Sequence, residues 1–187
     1  MGRGMQIMNL VLVKAAERYR KQITEYMEEW MASGELIVPK AVGKHDVHDF
    51  AIYCQNLEVT EPHDGLVPDS TYFCLDQDRD IIVGAVNIRH YLNASLLRTV
   101  GHIGDGIRPG ERRKGYATAM IALALEKCRA LGIDKVLMVC DRTNLASARS
   151  IIRNGGVLEN ELEDNGRVMQ RYWIDLKKEG KQDAGAA

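Results

Sequence analysis

The sequence lacks the features that define several classes of protein. Its four cysteines stand far apart and form no C-x-x-C pair, so neither a disulfide framework nor a cysteine-based metal site is indicated. No apolar run approaches the ~20 residues that a membrane-spanning helix needs, and no secretory pattern opens the chain. The formal net charge of -1 gives no overall attraction to nucleic acid or to an anionic membrane. We therefore expect a cytoplasmic protein without nucleic-acid or membrane partners.

What is present suits one globular enzyme-sized domain, because 45% of the 187 residues are hydrophobic. We expect a single domain over residues 1–176 and a flexible polar tail over 177–187. The first half reads as a strand, two helices and a hairpin, over residues 8–15, 17–34, 47–57 and 71–92. The second half reads as strand, helix, strand, helix and hairpin, over residues 99–107, 116–131, 135–140, 144–154 and 156–176.

The central strand, helix and strand predict a β-α-β unit with a parallel strand pair. "KVLMVC" is almost wholly apolar, as in strands that are buried on both faces. Asp164-Asn165-Gly166 predicts a tight hairpin turn, because Asn-Gly readily adopts positive φ. The sequence therefore predicts a sheet that is flanked by helices.

"RPGERRKGYATAM", residues 108–120, places three cations beside Gly115 where a helix begins. The first N–H groups of a helix have no intrahelical partners, and the macrodipole makes that end positive. Exposed cations there cost roughly 0.3–1 kcal/mol each, so a purely structural helix start would favour acidic residues. The pattern therefore favours a phosphate or pyrophosphate site, which Gly115 leaves open to the ligand and to which Thr118 can add a hydroxyl.

Other phosphate-binding and metal-binding motifs do not fit. Tyr116 and Ala117 stand where a Walker loop needs its Lys and its Ser or Thr. Pro109 stands where a dinucleotide-binding turn needs its third glycine. The basic residues are confined to one turn, which argues against nucleic acid, and "HDVHD" at 45–49 lacks a third metal ligand.

The stretch "IRPGERRKGYATAMIALALEKCRALGIDKVLMVCDRTNLAS" resembles the GNAT N-acetyltransferases, over about residues 101–155. "GHIGDGIRPGERRKGYAT", "NGGVLENE" and "RYWIDL" look like a bacterial branch of predicted acetyltransferases with undefined substrates. The resemblance implies an α/β (α+β) fold, with a mixed central sheet of about six to seven strands flanked by helices and a splayed parallel strand pair. It also implies acetyl-CoA as the acetyl donor, no metal, and a possible homodimer.

The resemblance implies an N-acetyltransferase that transfers acetyl to a primary amine of a small molecule, amino acid derivative or peptide, by direct attack in a ternary complex. The pantetheine arm would lie between the splayed strands, and the basic turn would hold the pyrophosphate. The implied cofactor-binding residues are Gly106, Ile107, Arg108, Arg112, Arg113, Lys114, Gly115, Tyr116, Ala117, Thr118 and Asn144.

The catalytic residues are less defined, because Ile151 occupies the position of the Tyr that usually serves the family as general acid. Tyr172 or Tyr116 could replace it, or the thiolate could leave unassisted. Asp105 and His102 are candidate bases on the central strand, where alternation sends them to opposite faces. The missing Tyr keeps open a non-catalytic acyl-CoA-binding or regulatory module.

The composition of the first half bears on the acceptor. Residues 45–80 contain nine carboxylates and one base, Arg79. Such a segment would attract a cationic amine, although an acidic solvated surface explains the same residues.

Overall fold

The computed structural model describes residues 8–177, so the predicted tail beyond Lys177 lies outside the described residues. Its seven strands form two sheets, of four and three strands, in the orders β1-β2-β3-β4 and β5-β7-β6. Every ladder within them is antiparallel. The strands are β1 (Leu10–Val13), β2 (Asp69–Asp76), β3 (Ile81–Arg89), β4 (Ile103–Ile107), β5 (Lys135–Asp141), β6 (Val157–Asp164) and β7 (Arg167–Asp175).

Helices flank both sheets, and the predicted mixed α/β fold is confirmed. They are α1 (Arg20–Ser33), α2 (Phe50–Asn56), α3 (Ala94–Thr99), α4 (Tyr116–Ala130) and α5 (Leu145–Arg153). Gly34 ends α1 in the left-handed conformation, as the sequence predicts. The strand predicted from residue 99 begins only at Ile103, because α3 occupies residues 94–99.

The four-stranded sheet separates two hydrophobic cores. On one face, Ile23, Trp30 and Phe73 pack with the rest of the α1 and α2 cluster. On the other face, Met120 and Ile121 of α4 pack with residues of β3, β4 and β5. All of these side chains are buried, so α4 packs against strands of both sheets.

The two sheets meet where β4 begins, beside Leu137 and Met138 of β5. The backbone N–H of His102 donates to the Leu137 carbonyl at 2.8 Å, and Gly101 forms an isolated bridge to Met138. Gly101 has φ 80, and a Cβ there would lie 2.5 Å from the Leu137 oxygen. Beyond this junction, residues 8–177 contain no bridge between β4 and β5, so the two strands that were predicted as a splayed parallel pair are joined at one contact point.

Candidate functional site

A cleft of about 700 Å³ opens beyond this junction, bounded by β4 and by the first turns of α4 and α5. Asp105, Gly106 and Ile107 line it from β4. Trp30 and the segment after α1 line it from the other side. The place where the sheet lacks a ladder is therefore where the chain leaves room for a ligand.

The turn before α4 presents backbone N–H groups to the cleft. Arg113 and Gly115 both have positive φ, at 65 and 90. Gly115 is the N-cap of α4, and no side chain caps the helix. The unpaired N–H groups and the positive end of the macrodipole therefore face the cleft, an arrangement that suits an anion.

Most of the predicted cofactor-binding residues meet at this cleft. Nine of the eleven line it, namely Gly106, Ile107, Arg112, Arg113, Gly115, Tyr116, Ala117, Thr118 and Asn144. The Arg108 side chain is held by Glu29, at 2.7 Å from Nε to Oε2, and Lys114 donates to Glu111 at 2.9 Å. These two cations are thus paired with carboxylates in the protein.

Arg112 lies at the mouth of the cleft in a bidentate ion pair with Glu35. Its two terminal nitrogens donate to the Glu35 carboxylate at 3.0 and 2.7 Å. The guanidinium also lies over the Trp30 ring, 5.2 Å from the centroid. Because both partners are substantially exposed, a phosphate could compete with Glu35 for this guanidinium.

Helix α5 adds two cations that sequence reasoning missed. Arg149 and Arg153 line the cleft from α5. Neither these two arginines nor Arg113 forms an ion pair with a carboxylate within residues 8–177. Their i, i+4 spacing, which places two side chains on one helix face, was the available signal. Asn144, the predicted contact from this helix, caps it by accepting the Ser147 N–H at 3.1 Å.

Asp105 is the carboxylate that faces the cleft from β4. It is half-buried and lies opposite Val86 in the β3–β4 ladder, on the face that α4 covers. Desolvation raises its pKa to about 6, from 3.8. No hydrogen bond to its carboxylate forms within the described range, which leaves it available to a ligand.

His102 occupies the sheet junction. Its ring Nδ1 accepts the Leu137 backbone N–H at 2.9 Å, and the residue is buried. Burial and the nearby Arg89 lower the pKa of His102 to about 4, so the ring is neutral at physiological pH. The geometry therefore gives His102 a clear structural task, and it favours Asp105 as the candidate base.

The two candidate tyrosines already have hydrogen-bond partners. The Tyr172 hydroxyl donates to Gln170 Oε1 at 2.8 Å, and the Tyr116 hydroxyl donates to Asp76 Oδ2 at 2.7 Å. Burial raises the pKa of both hydroxyls. Ile151 is fully buried in the core beneath the cleft. The structure thus offers no tyrosine hydroxyl at the family's usual position.

Two other sequence patterns can be placed. In "HDVHD", His48 binds Asp46 at 2.8 Å and lies 3.5 Å from Glu28. A cluster of three or more His, Cys, Asp or Glu side chains able to hold a metal does not occur between residues 8 and 177. No helix in the same range is long and apolar enough to cross a membrane.

The sequence matches the profile of a known family. The family described as "Acetyltransferase (GNAT) domain" matches residues 10–157, which include every element from β1 to α5. A comparison with curated proteins found no match to the chain.

Solved structures share the architecture at low sequence identity. An acetyltransferase (GNAT family) from Bacillus anthracis superposes with a TM-score of 0.61 at 16% identity, covering 90% of this chain and 95% of that one. A dodecameric spermidine N-acetyltransferase from Vibrio cholerae gives 0.61 at 18%, covering 92% and 96%. A microcin C7 self-immunity acetyltransferase, solved with acetyl-CoA and AMP, gives 0.60 at 18%, covering 89% and 92%. At these identities the likeness concerns the fold.

Proposed function

Because the chain belongs to the GNAT acetyltransferase family, we propose that it is an acetyl-CoA-dependent N-acetyltransferase acting on a primary amine. The acceptor would be a small molecule, an amino acid derivative or a peptide. The observation that carries the proposal is that one cleft contains an uncapped helix N-terminus, a gap in the sheet and the free carboxylate of Asp105.

The donor would be held by charge at one end and by backbone at the other. Its pyrophosphate would bind the N–H groups of residues 113–118, with Arg112 and Arg113 adding charge-assisted hydrogen bonds. Arg149 and Arg153 would add charge from α5, toward a further phosphate of the donor. The amide-bearing arm would lie along β4 at Gly106, where that strand has no β5 partner.

The acyl transfer would proceed by direct attack. Asp105, with its pKa near the operating range, would accept a proton from the acceptor ammonium, directly or through water. The amine nitrogen then bonds to the thioester carbonyl carbon, and collapse of the tetrahedral species breaks the carbon–sulfur bond. The nitrogen then loses a second proton, which the departing thiolate takes up, while Asp105 releases the first proton to solvent. With a pKa of ~8.5 by analogy with Cys, the thiolate is a competent leaving group without a tyrosine acid.

The acidic composition of residues 45–80 supports a cationic acceptor. One similar fold is a spermidine N-acetyltransferase, whose named substrate is a cationic amine. Either a polyamine or a peptide amino group would fit this charge.

A second function has one observation in its favour. The hydroxyls of Tyr116 and Tyr172 are bound to other side chains, and Ile151 replaces the usual Tyr. A module that binds acyl-CoA for sensing or regulation would need no proton donor. Catalysis and binding must therefore be measured on the same preparation.

The decisive assay follows thiol release from acetyl-CoA against a panel of amino acids, polyamines, aminoglycosides and peptides with free N-termini. Amine-dependent thiol release would establish catalysis and identify the acceptor class. Calorimetric binding of CoA without acetylation of any amine would favour the binding module. Absence of both binding and turnover would contradict the proposal.

Gly115 offers a test of the pyrophosphate site with a matched control. Gly115→Ala adds a methyl group at φ 90 and so introduces strain, whereas Gly115→Glu adds the same strain and a carboxylate at the anion site. We expect Gly115→Glu to abolish CoA binding and Gly115→Ala to retain more of it, with similar melting temperatures. Unchanged CoA affinity in Gly115→Glu would remove the pyrophosphate assignment.

A further inference from the structure

Arg79 lies at the tip of the β2–β3 hairpin, and its side chain reaches the turn that begins the cleft. Its two terminal nitrogens donate to the Glu111 carboxylate, Nη1 to Oε2 at 2.7 Å and Nη2 to Oε1 at 2.9 Å. Nη1 also donates to the Tyr116 hydroxyl at 3.0 Å. Two parallel bonds to one carboxylate fix orientation as well as distance. Arg79, the one base among the carboxylates of residues 45–80, is thus bound to this turn.

The position of Glu111 explains why a cation such as Arg79 is needed beside the anion-binding turn. It lies just before the anion-binding turn and lines the cleft, yet the residue is only 8% exposed. The hydrogen bonds from Arg79, with a further one from Lys114, lower the pKa of Glu111 to about 2. Glu111 is therefore a carboxylate anion at neutral pH, and without a counter-charge it would repel a phosphate bound beside it.

Tyr116 connects the hairpin to the first residue of α4. Its hydroxyl donates to Asp76 Oδ2 at 2.7 Å while it accepts from Arg79. The other oxygen of Asp76 accepts the backbone N–H groups of Asp78 and Arg79, at 3.2 and 3.3 Å. The hairpin tip and the start of α4 are therefore joined by one continuous hydrogen-bond network.

We propose that Arg79 is a positioning residue for the acyl donor. It acts through Glu111, whose charge it neutralises, and through Tyr116, which it holds at the start of α4. The inference rests on the proposed function, because it assumes that the turn binds the pyrophosphate of acetyl-CoA. The Arg79 side chain is 45% exposed whereas Glu111 is buried, so loss of Arg79 lowers the stability of the fold as well as the affinity for CoA, and binding is measured well below the melting temperature of each variant.

The first experiment compares CoA binding by calorimetry in the wild type, Arg79→Met and Arg79→Lys. We expect Arg79→Met to raise the Kd for CoA about tenfold to hundredfold, because a charge-assisted bidentate contact is lost. Arg79→Lys keeps the charge without the planar fork and should fall between the two. In the acetylation assay, KM for acetyl-CoA should rise by a similar factor while kcat at saturation stays the same.

Arg20→Met is the matched control. Arg20 is a comparably exposed arginine in an ion pair with Glu17 at the start of α1, and its loss should leave the Kd for CoA unchanged. Circular dichroism should show every variant folded at the temperature of the binding measurement, which separates a positioning role from loss of the fold. Should Arg79→Met fail to fold, the Arg79→Lys variant supplies the same comparison.

The double variant R79M/E111Q distinguishes charge neutralisation from simple loss of contacts. Removing the carboxylate that Arg79 neutralises should recover at least a third of the lost affinity on a logarithmic scale, a non-additive result. Equal Kd values for Arg79→Met and wild type, or no recovery in the double variant, would overturn the positioning role and leave the proposed function standing. Failure of the wild type to bind CoA would overturn both.

Discussion

Asp105 is predicted to reduce the stability of the folded protein at neutral pH, in addition to its proposed role as the catalytic base. Desolvation raises its pKa from 3.8 to about 6, which corresponds to about 3 kcal/mol. The folded chain therefore holds a proton that the unfolded chain has already lost between about pH 4 and pH 6. Stability falls as pH rises through this window, and above about pH 6 the full penalty applies.

Asp105→Asn removes the charge and should therefore have two opposite effects. At pH 7.5 the variant should be more stable than wild type by up to about 3 kcal/mol, or about 6–12 °C in Tm for a chain of this size. The difference should vanish below about pH 4, where Asp105 is protonated in both states. Turnover should fall about 10²–10⁴-fold, as for loss of a general base, while CoA binding is retained.

Denaturant unfolding between pH 3.5 and pH 8, together with the pH dependence of kcat/KM, tests both effects. For wild type, kcat/KM should fall about tenfold per pH unit below about pH 6, in addition to the protonation of the amine. Glu163→Gln, an exposed carboxylate change on β6, is the control and should alter neither profile. Parallel stability curves for wild type and Asp105→Asn, with equal rates, would refute the reasoning.

Two further substitutions test the junction and the mouth of the cleft. Gly101→Ala should lower stability by about 2 kcal/mol more than Gly132→Ala in chemical denaturation, since both glycines have positive φ but only the first would force a Cβ against a carbonyl oxygen. Equal losses would contradict the close approach. Glu35→Gln should tighten CoA binding about twofold to fivefold, because Arg112 loses its competing partner. Weaker or unchanged binding by calorimetry would show that the ion pair does not compete.

Local sequence signals predicted the elements whose causes are local. Asn165 and Gly166 take positive φ, at 50 and 76, and form the predicted hairpin turn between β6 and β7. The apolar spacing in α4 corresponds to its buried face. The six-residue α3 was missed because so short a helix offers little periodicity, although Asn93 caps it by accepting the Leu96 N–H at 3.0 Å.

Strand neighbours and ion-pair partners that are distant along the chain could not be predicted from local sequence patterns. β7 takes the place beside β5, and β4 meets β5 only at the start of β4. Likewise, Arg108 belongs to the predicted basic turn, but its partner Glu29 comes from α1, 79 residues earlier. Periodicity and spacing report a residue's own neighbourhood, whereas these contacts depend on which distant carboxylate the fold brings near.

The single contact point between the two sheets also links folding to the supply of ligand. A molecule that hydrogen-bonds to the open edge of β4 can do so only when the chain is folded, because the unfolded chain has no such edge. Its concentration therefore adds directly to the free energy of unfolding, by about 2.7 kcal/mol at one hundred times its Kd. The lifetime of this protein would then follow the concentration of the molecule that fills the gap, even in the absence of turnover.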